Sequence, residues 1–459
     1  MSKLTEVTRD GLGEHVAGLM EQTGVPGVAV GIHHRGESIA YGYGVTSIEH
    51  PLPVSDDTLF QIGSITKTFT GTAMMRLVEQ GKLDLDAKVQ SYLPEFRVAD
   101  EMASSEVTVR QLLTHEGGWA GDFFRSTGAG DGAIARYVTD MADLPQLAPV
   151  GTQWSYNNAG FSVAGRIIEV VTGKQFETAL EEQVFGPLGL EHSFFDAGDV
   201  LTHSFAVGHS VTGGKAQVAR PWALERAIYP AGGIICPVKD LLRYARFHLG
   251  DGRAKDGVRL LSPESLSLMH SPQVAVWEGE AWGLAWSILD ELEGARQVRH
   301  GGGTKGQISS LVLIPEHDLA IAVLTNADRG GVITDEVRRW VLRELMGLEA
   351  PKPEPIEAEE EELAGYAGRY RGYFTDLELG ILAGRLVGQV TYKRGFPNED
   401  VPPSPAPPPM SVAPCGKDRL LVLDGPAKDA TGDVIRRADG SIGWLRFSGR
   451  LHAREEPAS

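Results

Sequence analysis

A chain of 459 residues has room for two or three domains and a large hydrophobic core. Its 43 Lys and Arg residues are outnumbered by 61 Asp and Glu residues, and the net charge of −18 argues against nucleic acid or anionic membranes as partners, because both require a basic surface. Only Cys236 and Cys415 are present and no apolar run approaches the length of a membrane span, so we expect a cytoplasmic protein without a cysteine framework.

Residues 1–348 are predicted to contain two hairpins separated by helices. A first helix at about residues 4–20 is too acidic to be a signal peptide. Hairpins are predicted at residues 27–44 and 311–324. The helical patterns between and after them cover residues 83–93, 108–113, 133–141, 158–171, 240–249, 263–269 and 332–345. Strands at both ends with helices between them predict one sheet assembled from both chain ends, with a helical lobe at about residues 82–193.

The remainder of the chain predicts a linker and a small β domain. Residues 349–362 are rich in proline and glutamate and have no apolar face, which is typical of a linker. Short strands are predicted within residues 363–459, at 366–373, 377–382, 385–390, 419–423 and 442–447. In the last strand, Trp444 and Arg446 share the face opposite Leu445 and Phe447. That face is either a surface that packs on residues 1–348 or meets substrate, or a solvated edge.

One candidate nucleophile lies where a helix begins after Phe60. Ser64 and Lys67 form the only Ser-x-x-Lys in the chain, and the apolar spacing that follows predicts a helix through Glu79. An amine three residues from a serine can reach its hydroxyl, and it can act as a base if burial lowers its pKa. The alternative is that Ser64 caps the helix and Lys67 is solvated.

The second candidate motif is Trp154–Gly160, at the head of a predicted helix. A Tyr156 hydroxyl beside a cationic lysine can pass a proton to a leaving group. The Asn158 amide can hold Lys67 on one side and a substrate carbonyl on the other. The alternative is that Asn157 or Asn158 caps the helix and Tyr156 packs in the core.

The third candidate motif is the glycine-rich stretch His300–Gly306, directly before the second hairpin. Glycines allow a strand to approach a ligand closely, so that a backbone N–H can point at a developing oxyanion. His300 can then orient the substrate end nearest Tyr156. The alternative is a glycine-rich turn with a surface histidine.

Taken in order, the three motifs resemble those of the penicillin-recognising serine hydrolases. The resemblance covers about residues 10–346 and is strongest to the class C β-lactamase-like branch, which includes family VIII carboxylesterases, D-aminopeptidases and D-peptidases. The chain departs from true β-lactamases in one motif, because it has His300-Gly301-Gly302 in place of Lys-Thr-Gly. The C-terminal domain resembles the lipocalin-like module of penicillin-binding-protein-type thioesterases, through residues 445–450.

The resemblance implies an antiparallel sheet flanked by helices (an α/β, α+β sandwich) with a helical lobe, a hydrolase domain over 1–348 and a small C-terminal β-barrel. It implies an acyl-enzyme mechanism without cofactor or metal, in which these residues take part: Ser64 as nucleophile, Lys67 and Tyr156 as base and acid, Ser64 and Gly303 N–H groups as oxyanion hole, and Asn158, His300 and Gly302 in substrate positioning.

The expected substrate is a small-molecule carboxylic ester or lactone. The alternative is a D-amino-acid peptidase, amidase or peptide cyclase, and a β-lactamase or a non-catalytic penicillin-binding protein is expected less. Homo-oligomerisation is left open.

Overall fold

The computed structural model describes residue 4 and residues 11–456. Residues 5–10 of the helix predicted at about 4–20 lie outside this part of the chain, and the described helix there is Leu12–Thr23. The α-helices, α1–α14 in chain order, are Leu12–Thr23, Thr66–Glu79, Glu101–Glu106, Val109–Leu113, Ala133–Asp140, Asn158–Thr172, Phe176–Leu180, Gly186–Leu188, Ala197–Val200, Tyr229–Gly232, Val238–Leu249, Pro263–Met269, Gly330–Val341 and Glu360–Tyr366.

Most strands belong to one large sheet or to a barrel, and β3–β6 and β4–β5 form two small two-stranded sheets. In chain order, β1–β20 are Gly27–His34, Glu37–Gly44, Phe60–Gln61, His209–Thr212, Lys215–Val218, Ile235–Cys236, Val274–Trp277, Glu280–Trp282, Ser287–Leu289, Gln297–Thr304, Gln307–Ile314, Leu319–Thr325, Gly368–Arg371, Thr375–Leu382, Arg385–Tyr392, Met410–Gly416, Arg419–Val422, Thr431–Arg436, Ile442–Phe447 and Arg450–Arg454. Strands from the two ends of residues 1–348 form the large sheet, and strands β13–β20 form the barrel.

The main sheet is antiparallel and has the order β2-β1-β12-β11-β10-β9-β8-β7. β1 pairs with β12, for example Val30 with Val323, so the sheet is assembled from both chain ends as predicted. Both predicted hairpins are confirmed, as β1–β2 and β11–β12. The β1–β2 turn places Arg35 and Gly36 at φ 51° and 84°, the geometry of a tight two-residue hairpin loop.

Alternation along β1 builds a hydrophobic core on each face of the sheet. Val28, Val30 and Ile32 pack into one cluster with α1 and α13, and Ala29 belongs to the cluster on the opposite face. On that opposite face Gly31 allows α11 to lie close, since a Cβ there would be only 2.8 Å from a Leu242 methyl carbon. The sheet is therefore covered by helices on both faces.

Helix α2 lies in the middle of the molecule, between the sheet and the helical lobe. The apolar spacing predicts one buried face, but every residue from Thr66 to Met75 is buried. The polar side chains are satisfied by carbonyl oxygens, as in the bond from Thr70 Oγ1 to Pro230 O at 2.7 Å. This burial on all sides removes Lys67 from water.

The helix predicted at residues 83–93 is wrong. The amide of Asp86 donates to Asp84 Oδ1 at 2.9 Å, which holds the chain in a turn, and Lys88 forms an extended bridge with Thr108. Only Val89–Ser91 forms a 3₁₀ turn. The other predicted helices of the lobe are present as α4, α5 and α6.

Strands β13–β20 form a closed barrel, in which β20 returns to pair with β13. Leu363 and Tyr366 of α14 pack into its core. Sequence analysis missed β16, β18 and β20, and the division of the chain at residues 348 and 362 stays a prediction. None of the described helices combines the length and the apolar character of a membrane span.

The barrel docks on the helical lobe through the face that carries Trp444 and Arg446. Trp444 Nε1 donates to Leu147 O, and Arg446 Nη1 donates to Trp154 O, both at 3.1 Å. Leu445, on the other face, packs inside the barrel. The packing interpretation of this strand is therefore confirmed, and the solvated-edge alternative is wrong.

Candidate active site

Ser64 lies in a 3₁₀ turn, Gly63–Ile65, that runs directly into α2. Gly63 has φ +52°, and a Cβ there would lie 2.6 Å from the backbone nitrogen of Gly303, so a larger residue would push strand β10 away. Ser64 is half-buried, and it caps neither element, because the N-cap residues of this turn and of α2 are Ile62 and Ile65. The turn thus places the Ser64 hydroxyl beside β10.

Lys67 is fully buried and reaches three groups. Its Nζ lies 3.0 Å from Ser64 Oγ, 2.7 Å from Asn158 Oδ1 and 2.6 Å from Ala231 O. Burial, followed by the Arg450 cation, holds the pKa of the Lys67 amine well below its usual range, while Asp122 acts in the opposite direction. The solvated-lysine alternative is wrong, because this side chain has no exposed surface.

The three contacts of Lys67 match the requirements of a neutral amine. Asn158 Oδ1 and Ala231 O are acceptors, and they take the two N–H groups of an uncharged –NH₂. The remaining lone pair then faces Ser64, whose O–H can donate to it. This is the arrangement in which an amine can remove the serine proton.

Tyr156 and Asn158 stand around the same amine. The Tyr156 ring centroid lies 4.9 Å from Lys67 Nζ. Burial raises the pKa of the Tyr156 phenol, with Ser64 and Arg450 acting against it. Asn157 caps α6, since its Oδ1 accepts from Gly160 N at 2.8 Å. Asn158 is therefore free to bind Lys67.

The free edge of β10 runs past the Ser64 turn. β9 pairs with β10 only as far as Arg299, so residues 300–304 have no partner strand on that edge among the described residues. Thr304 and Gln307 flank the two-residue loop to β11, which makes Gly303 and Ile308 a non-hydrogen-bonded pair. The Gly303 N–H consequently points away from β11, toward the Ser64 turn.

Gly302 faces the same turn for a packing reason. A Cβ at this position would lie 1.9 Å from Ile62 O, and Ser309 Oγ already donates to that oxygen at 2.8 Å. Glycine here lets β10 approach the turn that carries Ser64. Its contact with substrate stays a prediction.

His300 is buried and uncharged. Its Nδ1 donates to Gly301 O at 2.6 Å, and burial lowers the pKa of the imidazole to about 3. Nε2 is then an acceptor, and it has no hydrogen-bond partner among the described residues. The surface-histidine alternative is wrong. The centroid of its ring lies 6.2 Å from that of Tyr156, so His300 is near the Tyr156 end of the site, where it was expected.

Two groups beneath the site were missed as functional by sequence analysis. Ala231 O has no side-chain signal, although it accepts the Lys67 hydrogen bond. His115, at φ +62°, packs against the Tyr156 ring with the two ring planes tilted by 36° and the centroids 4.4 Å apart, and its Nδ1 accepts from Asn157 N at 3.0 Å. Burial holds the pKa of His115 well below its usual range, so the imidazole that packs against Tyr156 is neutral.

Asp122 and Arg450 were also missed, and both approach the catalytic residues. Asn158 Nδ2 donates to Asp122 Oδ1 at 2.6 Å, and Arg450 donates to both Asp122 oxygens, through Nε at 3.0 Å and Nη2 at 3.2 Å. The Arg450 guanidinium carbon lies 4.6 Å from the Tyr156 ring centroid. In residues 11–456, no three His, Cys, Asp or Glu side chains are arranged to hold a metal ion.

The chain is similar to known proteins over most of its length. The family profile described as "Beta-lactamase" matches residues 12–344. A curated relative, "Penicillin-binding protein 4" of Amycolatopsis lactamdurans, is 37% identical over 359 residues, which cover 75% of this chain and 93% of that protein.

Solved structures extend the similarity through the barrel. "Crystal structure of SurE with D-Leu" has a TM-score of 0.73 and 25% identity, and covers 97% of this chain and 99% of its own. The octameric penicillin-binding protein homologue from Pyrococcus abyssi has a TM-score of 0.64 and 25% identity, with 97% of this chain and 100% of its own covered.

Proposed function

The chain belongs to the β-lactamase family, whose members are serine hydrolases, and from this premise we propose that it forms an acyl-enzyme on Ser64. The observation that carries the proposal is the environment of Lys67, whose buried amine has two acceptors for its N–H groups and a serine hydroxyl at 3.0 Å for its lone pair.

The proposed reaction divides into acylation and hydrolysis. Lys67 removes the Ser64 proton as Oγ attacks an ester or amide carbonyl, and the N–H groups of Ser64 and Gly303 stabilise the oxyanion. Tyr156 gives its proton to the leaving group and receives in its place the proton that Lys67 took from Ser64. Water then attacks the acyl-enzyme and gives one proton to the Lys67–Tyr156 pair, which returns it to the Ser64 oxygen as the acid is released. Asn158 and His300 position the substrate.

The first candidate substrate class is a carboxylic ester or lactone. His300 stands where a β-lactamase has lysine, and its lowered pKa leaves it uncharged at neutral pH. A neutral imidazole has no fixed charge for the carboxylate of an antibiotic. Its unpartnered Nε2 instead accepts a hydrogen bond from an O–H or N–H group of the substrate.

The second candidate is an acyl donor or acceptor that contains a D-amino acid. The observation in its favour is the similarity to the crystal structure of SurE with D-Leu, which covers 97% of this chain and includes the barrel. The octameric homologue likewise supports homo-oligomerisation as part of this proposal, and a cytoplasmic location stays a prediction.

A parallel assay separates these candidates. Purified protein is given nitrophenyl esters, D- and L-amino-acid amides, D-terminated peptide esters and a chromogenic cephalosporin, and each reaction is stopped for intact-mass measurement. We expect one acyl adduct, on Ser64, with esters or with D-residue donors but not with L-amides. Turnover without any Ser64 adduct, or turnover by the Ser64→Ala variant, would refute the acyl-enzyme proposal.

A further inference from the structure

The turn between β19 and β20 carries the barrel into the candidate active site. Gly449 O accepts from Tyr156 N at 2.8 Å, and Leu451 N donates to Ser155 Oγ at 3.3 Å. Two hydrogen bonds, one from the backbone of the turn and one from that of β20, thus hold the barrel beside Tyr156. Arg450 lies between Gly449 and Leu451, so its position is fixed by the same bonds.

Arg450 begins an uninterrupted series of contacts that ends at the nucleophile. Its guanidinium binds both oxygens of Asp122, which is almost fully buried, and Asp122 accepts from the Asn158 amide. Asn158 in turn accepts from Lys67, and Lys67 faces Ser64. Each contact in the series is a hydrogen bond of 3.2 Å or less. A rotation of Asn158 would therefore break contacts at both of its ends.

We propose that Arg450 and Asp122 form a positioning pair, through which the barrel holds the Lys67 amine in line with the nucleophile. The bidentate guanidinium–carboxylate bond fixes Asp122, and Asp122 fixes which end of the Asn158 amide faces Lys67. The inference rests on the proposed function, because it assigns the barrel a part in the same proton transfer.

The two members of the pair act on Lys67 with opposite signs. A cation near the amine disfavours its protonated form, and an anion favours it. Removal of Arg450 therefore raises the pKa of Lys67, and removal of the Asp122 charge lowers it, in agreement with the directions that each exerts in the intact site. The charged or titratable groups that face Lys67 are Tyr156, His115, His300, Asp122 and Arg450.

The test uses the full chain and a fluorophosphonate probe, with the rate of Ser64 labelling measured from about pH 6 to about pH 10. The variants are Arg450→Met, Asp122→Asn and their combination. Arg385→Met is the matched control, because Arg385 is an exposed arginine on a barrel strand away from the site. Thermal unfolding of each variant is recorded alongside.

We expect the acidic limb of the labelling profile to move upward by about one pH unit or more in Arg450→Met, and downward in Asp122→Asn. The double variant should return toward the wild-type limb, and the control should not differ from wild type. On the acidic limb, below the pKa of Lys67 in both proteins, Arg450→Met should be about tenfold slower than wild type, since there one pH unit changes the neutral fraction about tenfold. Arg450→Lys, which keeps the charge, should restore the limb and carries the test if Arg450→Met does not fold.

A purely structural role predicts a different result. A loosened turn would slow labelling by the same factor at every pH, and it would not shift the two single variants in opposite directions. Parallel shifts, or no shifts, with wild-type labelling at Ser64 would overturn the positioning pair alone. Failure of the wild type to label at Ser64 would instead refute the proposed function.

Discussion

Replacing Lys67 by methionine tests whether the buried amine is neutral in the folded protein. Lys67 is fully buried, and its pKa lies well below the value of 10.5 that it has when exposed in the unfolded chain. Between these two pKa values the unfolded state binds a proton that the folded state does not. The free energy of unfolding of the wild type, relative to Lys67→Met, therefore rises with pH by about 1.4 kcal/mol per pH unit.

The measurement is chemical denaturation of both proteins at several values from about pH 8 to about pH 9.5, over which the difference should grow by about 2 kcal/mol. Groups that Lys67 influences do not interfere, because His115 and His300 titrate below this range and the pKa of Tyr156 is raised above it. Ser64→Ala keeps the amine and is the control, with a pH-independent difference from wild type. A flat difference for Lys67→Met would show a charged lysine and refute the neutral-base mechanism.

Further variants test the other parts of the site. Ser64→Ala should abolish turnover and change the free energy of unfolding by about 1 kcal/mol or less, and a phosphonate adduct found on Ser162 by mass spectrometry would contradict the assignment. Tyr156→Phe should lower kcat for ester hydrolysis by roughly 10²-fold or more, and an unchanged kcat would exclude Tyr156 as the acid. With a His300 pKa of about 3, ester kcat/KM should show no imidazole limb between about pH 5 and about pH 8, and efficient cephalosporin cleavage by the wild type would overturn the role given to this residue. Gly449→Ala, at φ +76°, places a Cβ 3.1 Å from Trp154, whereas the control Gly384→Ala, at φ +72°, adds similar backbone strain in open space. We expect esterase activity to fall only in Gly449→Ala. Equal activities of the two variants would show that docking of this turn is dispensable.

Sequence patterns predicted the parts of the fold that depend on local periodicity. The hairpins at β1–β2 and β11–β12 have alternating apolar residues around short turns, and both were found where they were expected. The prediction of a helix at 83–93 was wrong because the leucines that suggested it are buried from a turn and an extended segment instead. Asp84 accepts a hydrogen bond from the backbone within that turn. Apolar spacing reports which side chains are buried, and it does not by itself distinguish a helix from a packed loop.

The barrel shows the same limit for strands. β14, β15, β17 and β19 were predicted from alternation, but β16 follows a proline-rich stretch and includes Pro414, which obscures the pattern. β20 was missed because Arg450 and His452 interrupt its apolar residues. Both side chains are polar for a reason outside the strand, since Arg450 binds Asp122 and His452 hydrogen-bonds Thr375.

In the site, the sequence predicted groups that belong to compact motifs and missed those that only the tertiary fold brings together. Ser64 and Lys67 are three residues apart, and one helical turn is enough to bring them into contact. Asp122 and Arg450 are 328 residues apart, and neither lies in a recognisable pattern. Their pairing depends on the closed barrel, on the Ser448–Gly449 turn that projects from it, and on the docking of Trp444 and Arg446 that aims this turn.

The dependence on docking gives a reason for the polar contacts that the barrel makes with residues 1–348 beside its aromatic ones, such as Phe124 with Phe374. An apolar interface would tolerate small slides of the barrel, because hydrophobic contact has little direction. Hydrogen bonds from Trp444, Arg446 and the Tyr156 amide fix the barrel at separate points, so a shift of the turn would break several of them at once. A guanidinium that must meet a carboxylate with two bonds requires that accuracy. The interface therefore has the directional character expected if Arg450 is to be held in register with Asp122.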